Sequence, residues 1–187
     1  MEHPTIPPAD RHLRARLATN DDLPALVTLM TLAIDHLQRG FLTEAQIAAS
    51  HAVMGLDTQL VADGGYFVVE EAGRMVGCGG WSRRATLYGG DHGAAPRDPA
   101  LLDPKRDAAR VRAMYTHPDF ARQGIGRLVL GLCEAAAAAA GFERVELMAT
   151  LAGEPLYRAC GYAEIEHSNA PIDEAVVPLI RMGKTLV

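Results

Sequence analysis

The chain has 187 residues, a length that suits one domain built around a single hydrophobic core. Its composition, 49% hydrophobic and 22% charged, is that of an ordinary globular protein, and a net charge of −5 without a dense Lys/Arg run argues against a nucleic-acid partner. Three cysteines without C-x-x-C spacing argue against a disulfide framework or a structural zinc site, and we expect reduced thiols.

The first twelve residues are predicted to form a flexible tail, followed by one domain over 13–187. Residues 1–10 are rich in proline and lack an apolar h-region, so a secretory signal peptide is not expected. No run of about 18 apolar residues occurs, and we therefore expect neither a membrane span nor a membrane partner. Together with the reduced thiols, these features favour a cytoplasmic location.

The first part of the predicted domain holds one strand and two helices. Apolar and basic residues alternate over 13–19, which predicts a strand. Apolar side chains then recur at helical spacing over 23–37, which predicts a first helix. Thr43 and Gln46 form a capping-box pattern, which predicts a second helix that ends at about residue 54.

A β-hairpin and a long connection follow these helices. Residues 64–81 are predicted to form the hairpin, because two apolar runs flank a glycine turn. Three glycines in the returning strand, Gly77, Gly79 and Gly80, indicate that another element packs close to this backbone. Residues 82–108 are rich in turn-forming residues, and a connection of this length is usually functional or mobile.

The second half is predicted to alternate strands and helices. The expected elements are a strand over 109–116, a helix from about Gly124, a strand over 144–150, a short helix over 154–160 and strands near 162–166 and 175–182. The strand–helix–strand order implies a parallel or mixed sheet with helices on its faces. Pro178 cannot donate to a sheet ladder, so we expect the last strand to lie at an edge.

The stretch HPDFARQGIGR, residues 117–127, places two glycines at the start of the predicted helix. The first N–H groups of a helix lack internal partners, so this turn is a candidate anion site. Glycine lets a diphosphate approach the backbone, and Arg122 and Arg127 can add charge-assisted bonds. The dinucleotide-binding fingerprint does not fit, because Val129 stands where a small residue is needed. Residues 183–185 match the end of the P-loop motif, but no helix can follow them, so a P-loop is not expected either.

The segment MYTHPDFARQGIGRLVLGLCEAAAAAAGF and its sequel RVELMATLAGEPLYRACGY resemble the acyl-CoA-binding motif of the GNAT superfamily of N-acyltransferases. The order of predicted elements over about 13–186 is similar too, and the most specific part of the likeness is 111–162. The resemblance implies an α/β fold with a mixed, mostly antiparallel central sheet, helices on both faces and a V-shaped splay between two parallel central strands. It implies acetyl-CoA as cosubstrate without a metal, and direct attack by the primary amine of a small molecule or protein.

The same resemblance indicates which residues bind the cosubstrate. Main-chain groups around Met114 and Thr116 would pair with the pantetheine arm, and amides of 122–127 would hold the pyrophosphate. Ala121 stands where the family commonly has Gln or Arg. The next two residues, Arg122 and Gln123, are expected to take the role of that side chain. Thr150 stands where the family often has Asn. The expected set is Met114, Tyr115, Thr116, Arg122, Gln123, Gly124, Ile125, Gly126, Arg127 and Thr150.

Tyr157 is the expected catalytic residue, because it matches the tyrosine of the family element L-Y-x-x-x-G-Y. The resemblance implies that its hydroxyl protonates or hydrogen-bonds the leaving thiolate, and the alternative is a core tyrosine that anchors a short helix. The sequence does not identify the general base. Glu146, His36, His117 and a chain of water molecules all stay open for that role.

Candidate contacts to the acceptor lie outside the cosubstrate motifs. Trp81 ends the predicted hairpin and Arg83 lies at the start of the long connection, and the two could cap an acceptor pocket and bind an acidic or aromatic acceptor. The alternative is a Trp that covers the sheet and an Arg in solvent. Glu146 alternates with apolar neighbours on its strand and could point either into the cleft or into solvent.

Three functions remain open at the level of sequence. The first is an acetyl-CoA-dependent N-acetyltransferase, and the second is a catalytically degenerate member of that superfamily that binds acyl-CoA as a sensor. The third is a nucleotide-binding or structural α/β domain, because fold does not fix function. The identity of the acceptor is not predicted, and a homodimer formed by edge pairing of the final strands is a hypothesis that the sequence alone cannot derive.

Overall fold

The computed structural model describes residues 12–93 and 97–186, so the predicted N-terminal tail lies outside the described residues except for its last position. The strands are β1 (Leu13–Leu17), β2 (Tyr66–Glu71), β3 (Arg74–Ser82), β4 (Ala109–Thr116), β5 (Arg144–Thr150), β6 (Ala163–Ile172) and β7 (Ala175–Thr185). The helices are α1 (Leu23–Leu37), α2 (Glu44–Val53), α3 (Thr58–Ala62), α4 (Ile125–Ala139) and α5 (Glu154–Ala159).

The seven strands form one sheet in the order β1-β2-β3-β4-β5-β7-β6. The central strands β4 and β5 run parallel, and the other neighbouring strands run antiparallel. A strand–helix–strand crossover through α4 joins the parallel pair, as such a connection requires. The predicted mixed, mostly antiparallel sheet is therefore confirmed.

Helices cover both faces of this sheet. Val68 of β2 packs in a cluster with α1 and α3, whereas its neighbour Val69 packs in a second cluster with α4. Successive side chains of a strand point to opposite faces, so α1 and α4 lie on opposite sides of the sheet. The two larger of the three described core clusters therefore lie on opposite faces, and any opening through the sheet would connect the two helical layers.

The two parallel strands separate soon after they meet. Their pairing is confined to Ala109 with Val145 and Arg110 with Glu146. Beyond these pairs β4 continues to Thr116 against β3 alone. The predicted V-shaped splay is thus present, and it leaves one side of the β4 main chain without a strand partner within the described sheet.

A β-bulge bends β4 next to this gap. Ala113 has φ of +50°, and Gly79 of β3 lies opposite both Ala113 and Met114. The Tyr66 hydroxyl donates a hydrogen bond of 2.7 Å to the Ala113 carbonyl, which stabilises the unusual backbone. A bulge strengthens the local twist and turns a strand away from its neighbour, so it contributes to the splay.

The prediction that β7 lies at an edge is wrong. β7 lies between β5 and β6, and the described edges of the sheet are β1 and β6. Pro178 is tolerated because the β5–β7 ladder ends at Thr150 with Leu179, so only β6 accompanies β7 at the proline. Of the final strands, β6 is therefore the one with a free edge that could pair with a second copy of the chain.

The boundaries of several elements differ from the prediction. β1 is shorter than expected, and β6 extends to Ile172 although its strand pattern was expected to end near residue 166. As an edge strand, β6 is mostly exposed and carries little apolar alternation to reveal its length. The sequence analysis missed α3, whose N-cap Asp57 accepts a hydrogen bond from the Gln59 amide at 3.1 Å.

The predicted close approach to the glycines of β3 is confirmed: α4 approaches Gly77 and Gly79, and the Tyr66 ring of β2 approaches Gly80. A Cβ at Gly77 would lie 2.3 Å from Ile125 Cγ2, and one at Gly79 would lie 2.7 Å from Val129 Cγ1. The missing side chains therefore let the first turns of α4 pack directly on the sheet. This contact sets the position at which α4 begins.

We expect Gly77→Ala to lower the free energy of unfolding by about 1–3 kcal/mol, because the added methyl overfills the α4–β3 contact. Gly131→Ala is the matched control, because a Cβ there meets nothing within 4 Å and the residue lies in the interior of α4. That substitution should stabilise the protein by about 0.5–1 kcal/mol. Urea unfolding measures both, and equal effects of the two substitutions would contradict the close packing.

Candidate active site

A cavity of about 660 Å³ lies in the gap between β4 and β5. Its walls include Gly124 and Arg127 at the start of α4, and Ile34 and Leu37 near the end of α1. Since α1 and α4 cover opposite faces, the cavity connects the two sides of the sheet. The splay of the parallel strands is what makes room for it.

The glycine turn forms one end of the cavity. Arg122 and Gly124 both have positive φ, +62° and +86°, and α4 begins at the next residue, Ile125. None of the described side chains caps this helix, so the N–H groups of its first turn keep their capacity to bind an anion. Arg122 and Arg127 line the same end and supply positive charge.

The gap suits an extended chain attached to such an anion. Between Val111 and Thr116, β4 pairs with β3 on one side and with no described strand on the other. An extended ligand can add itself to main-chain groups of this kind like an extra strand. A diphosphate that carries a narrow, extended arm, as the family resemblance implies, has room in this gap.

Tyr157 of α5 lines the cavity. Its side chain packs in the α4-side core beside Tyr162, with 5.9 Å between ring centroids, and 8% of the residue remains exposed. Within residues 12–93 and 97–186, no hydrogen bond engages its hydroxyl. Burial raises the pKa of Tyr157, with smaller contributions from Cys133 and Cys160, so the hydroxyl keeps its proton at neutral pH.

Thr116 and Thr150, the two threonines of the expected set, both line the cavity. Thr150 Oγ1 accepts a hydrogen bond from the Gly153 amide at 3.1 Å, which shapes the turn between β5 and α5. This bond uses part of the hydrogen-bonding capacity of the Thr150 hydroxyl. Thr116 is the last residue of β4 and lies beside the glycine turn. Its Oγ1 lies 3.7 Å from the position that a Cβ would occupy if Gly126 carried a side chain. The short side chains keep the path between α4 and α5 open.

The structure brings most of the predicted site residues together. Those that line the cavity are Met114, Tyr115, Thr116, Arg122, Gly124, Ile125, Gly126, Arg127, Thr150 and Tyr157. Gln123 does not line it. Its side-chain amide donates to the Asp119 carbonyl at 2.9 Å, so it ties the turn together from outside.

The three predicted acceptor contacts lie outside the cavity wall. Trp81 packs edge-to-face on Phe142 with ring centroids 6.2 Å apart, in the core on the α4 side, and Arg83 is exposed. These positions match the alternative in which the Trp covers the sheet. Since neither side chain reaches the cavity, we do not carry them into the proposed site.

Glu146 is held in an ion-pair cluster rather than in the cavity wall. Its carboxylate lies 2.6 Å from Arg110 of β4 and 2.7 Å from Arg181 of β7. The cluster spans three neighbouring strands at the closed end of the splay. Alternation along β5 left open whether Glu146 points into the cleft or into solvent, and it did not predict the two arginines that meet it.

His117 and His36 also lie outside the cavity wall. His117 is buried, and its Nε2 lies 2.8 Å from a guanidinium nitrogen of Arg74. Burial lowers the pKa of His117, and the Arg74 charge adds to this effect, so the ring is neutral at neutral pH. His36 is exposed near the end of α1.

Sequence analysis missed the end of the cavity that lies on the α1 face. Its wall includes Gln38, Phe41, Met54 and Tyr88, which come from three separate segments of the chain. Helical spacing predicted that α1 buries an apolar face, but a buried face and a cavity wall have the same pattern. Only the packed structure shows that α1 does not fill the space beneath its last turn.

A buried ion-pair cluster supports this end of the cavity. Asp57 lies 2.7 Å from Arg112 and 2.6 Å from Arg97, and its carboxylate is fully buried. Arg112 also donates to the Gly89 carbonyl at 2.6 Å. Burial is the largest influence on Arg112 and lowers its pKa, while Asp57 opposes that effect. The cluster fixes residues 87–89 as one wall of the cavity.

Two absences hold for the described part of the chain. None of its helices is long and apolar enough to cross a membrane. Across the same residues no group of three or more His, Cys, Asp or Glu side chains is placed to hold a metal ion.

Solved structures resemble this fold over almost the whole chain. A GCN5-related N-acetyltransferase of Rhodopseudomonas palustris has a TM-score of 0.67 at 18% identity, covering 97% of this chain and 99% of its own. A candidate acetyltransferase of Salmonella typhimurium, solved with its cofactor acetyl-CoA, scores 0.61 at 18% identity and covers 94% of each chain. The PaiA N-acetyltransferase of Thermoplasma acidophilum, in complex with coenzyme A, scores 0.60 at 12% identity, covering 92% of this chain and 98% of its own.

Sequence comparison adds the family itself. No protein of curated function matches the chain. The family model described as the acetyltransferase (GNAT) family matches residues 29–162, which include the glycine turn, β4, β5 and Tyr157. This match covers well over half of the chain, and the fold and the geometry of the cavity agree with it. The chain belongs to the GNAT acetyltransferase family.

Proposed function

We propose that the protein transfers an acetyl group from acetyl-CoA to a primary amine, with Tyr157 as the general acid. One observation carries the proposal. The uncapped start of α4 and the hydroxyl-bearing side chain of Tyr157 face the same cavity, which is open along the unpaired side of β4. An anion-binding end, a narrow groove and a proton donor are the parts that acetyl transfer from a thioester requires.

Each part has an assigned partner on the cosubstrate. The first-turn amides of α4 would bind the pyrophosphate, and Arg122 and Arg127 would add charge. Main-chain groups of β4 from Met114 to Thr116 would pair with the pantetheine arm. Two solved relatives of the same fold, from Salmonella typhimurium and Thermoplasma acidophilum, contain acetyl-CoA and coenzyme A, which supports this assignment.

The reaction follows from these positions. The neutral amine attacks the thioester carbonyl, a C–N bond forms, the C–S bond breaks, and the amine gives up one proton. Tyr157 is protonated at neutral pH because burial raises its pKa, so it can give its proton to the departing thiolate. His117 and Glu146 lie outside the cavity wall, so we assign the amine proton to a solvent water, and solvent returns a proton to Tyr157 to close the cycle.

Thermal unfolding tests the cosubstrate. Acetyl-CoA at about 100 times its Kd should add about 2.7 kcal/mol, which raises Tm by roughly 5–10 °C for a domain of this size. NAD and ATP at the same concentration are the controls. An equal shift with NAD, or no shift with acetyl-CoA, would contradict the proposal and favour a nucleotide-binding or structural domain.

Thiol detection with a panel of amines then tests transfer. Amine-dependent release of free CoA is the expected result, with the acetylated amine found by mass spectrometry. Binding of acetyl-CoA without release of thiol for any amine would contradict the enzymatic proposal and favour the acyl-CoA sensor.

A further inference from the structure

Tyr66 is a buried tyrosine that reaches across the sheet to the edge of the cavity. It belongs to β2 and is 1% exposed, and it does not line the cavity itself. Its hydroxyl donates a hydrogen bond of 2.7 Å to the carbonyl of Ala113 in β4, although β3 runs between the two strands. Ala113 does line the cavity. The hydrogen bond therefore connects the core beneath α1 with the cavity wall.

A missing side chain in β3 makes this reach possible. Gly80 pairs with Tyr66 in the β2–β3 ladder and with Arg112 in the β3–β4 ladder. A Cβ at Gly80 would lie 2.6 Å from Cδ2 of the Tyr66 ring. Any side chain at this position would push the ring away, so the glycine opens the path along which the hydroxyl reaches Ala113.

The carbonyl that Tyr66 binds belongs to the residue that forms the β4 bulge. Ala113 has φ of +50°, a conformation that an alanine adopts only under constraint. Burial raises the pKa of Tyr66 well above its ordinary value, so the hydroxyl keeps the proton that it donates. Cys78 Sγ also lies 3.2 Å from the Tyr66 oxygen, but the carbonyl is nearer and is the stronger acceptor. The hydrogen bond thus favours the strained backbone over an extended one.

The opposite face of the bulge is supported in a similar way. Met114 lays its side chain over Gly79, where a Cβ would lie 2.7 Å from Met114 Sδ. Met114 packs in the core on the α4 side, whereas Tyr66 packs in the core on the α1 side. Contacts from both faces therefore hold the bulge at the point where the stretch of β4 proposed to bind the pantetheine arm begins.

We propose that Tyr66 is a positioning residue for the cosubstrate: its hydroxyl holds the bulge at Ala113 and so sets the direction in which the main chain of residues 114–116 meets the pantetheine arm. This inference rests on the proposed binding of acetyl-CoA. Without the hydroxyl, the strained backbone loses its support and shifts toward a conformation in which those main-chain groups no longer match the arm. The pyrophosphate site at the start of α4 is a separate element and keeps its shape.

Tyr66→Phe tests the role of the hydroxyl, because phenylalanine keeps the ring over Gly80. We expect the Kd for acetyl-CoA to rise roughly 5- to 20-fold. The Kd for 3′-phospho-ADP, which is the part of acetyl-CoA without the arm, should change by less than about twofold. Calorimetric titration measures both constants. A loss of affinity shared equally by the two ligands would indicate general destabilisation and would overturn the positioning role.

Tyr162→Phe is the matched control for this substitution. Tyr162 is also buried, no described group hydrogen-bonds to its hydroxyl, and it does not belong to the cavity wall. Deleting that hydroxyl should leave the Kd for acetyl-CoA within about twofold. If it weakens binding as much as Tyr66→Phe does, the effect is not specific to the bulge and the inference fails.

Ala113→Gly provides a rescue that a purely structural role of Tyr66 would not predict. Glycine adopts positive φ without strain, so it should hold the bulge in place of the hydroxyl. In the Tyr66→Phe background it should lower the Kd for acetyl-CoA by about threefold or more, and it should gain less in the wild-type background. The double variant also carries the test if Tyr66→Phe alone does not fold, because the strain that the hydroxyl offsets is gone. Additive effects of the two substitutions would overturn the inference.

The outcomes separate this inference from the proposed function. A wild-type protein that does not bind acetyl-CoA overturns both. Wild-type binding that Tyr66→Phe leaves unchanged overturns the role of Tyr66 alone.

Discussion

Tyr157→Phe is expected to lower kcat by about 100- to 10,000-fold, because general acid catalysis contributes about that much to a reaction rate. The Kd for acetyl-CoA should stay within about twofold, since the ring that packs in the core is kept and the removed hydroxyl has no hydrogen bond within the described chain. Single-turnover kinetics and calorimetric titration measure the two quantities separately. The deleted oxygen is the atom that would protonate the leaving thiolate.

Tyr162→Phe is the matched control for this experiment. Tyr162 packs against Tyr157 in the same core and is also buried, but it does not belong to the cavity wall. The same deletion there should leave kcat within about twofold. A Tyr157→Phe variant that keeps near-normal kcat would show that the residue only anchors α5, and that another group protonates the thiolate.

Asp57→Asn should cause the largest loss of stability among the polar substitutions. It leaves the buried Arg112 guanidinium without its counter-charge, and removing one partner of a buried ion pair typically costs about 3–5 kcal/mol. For a chain of this length that corresponds to a fall in Tm of about 10 °C. Asparagine can still cap α3, so the loss reports on the ion pair rather than on the helix terminus.

Asp35→Asn makes the same chemical change in an exposed pair. Asp35 lies 2.7 Å from His51 on the surface, with 43% of its side chain exposed. The change in unfolding free energy should stay within about 0.5 kcal/mol. If the two variants unfold at the same temperature, the cluster around Asp57 does not contribute to stability as its burial suggests.

The strands and motifs of the candidate site were predictable because their signals are local. The bounds of β4 and β5 follow from alternation within each strand, and the glycine turn and Tyr157 lie in short motifs with fixed spacing. The splay followed only from family resemblance. Nothing local predicts it, because it depends on how far two strands that are remote in sequence continue to pair.

The parts that sequence analysis missed depend on contacts between remote segments. The bulge at Ala113 has no local signal, since alanine rarely adopts positive φ and Tyr66 holds it from another strand. Asp57 and Arg112 are 55 positions apart in the chain, and either alone resembles a solvated charge. Gln38 follows a helix like many surface glutamines, and its burial depends on the segment that contains Met54.

The splay also has an architectural consequence. Across its centre the sheet is joined by two residue pairs, reinforced by the ion pairs that Glu146 makes with Arg110 and Arg181. On the α4 side, one hydrophobic core packs against the strands before and after this seam. A ligand that hydrogen-bonds to the unpaired edge of β4 would fill the place of a missing strand between the two halves. The cosubstrate would thus complete the architecture of the sheet as well as react in it.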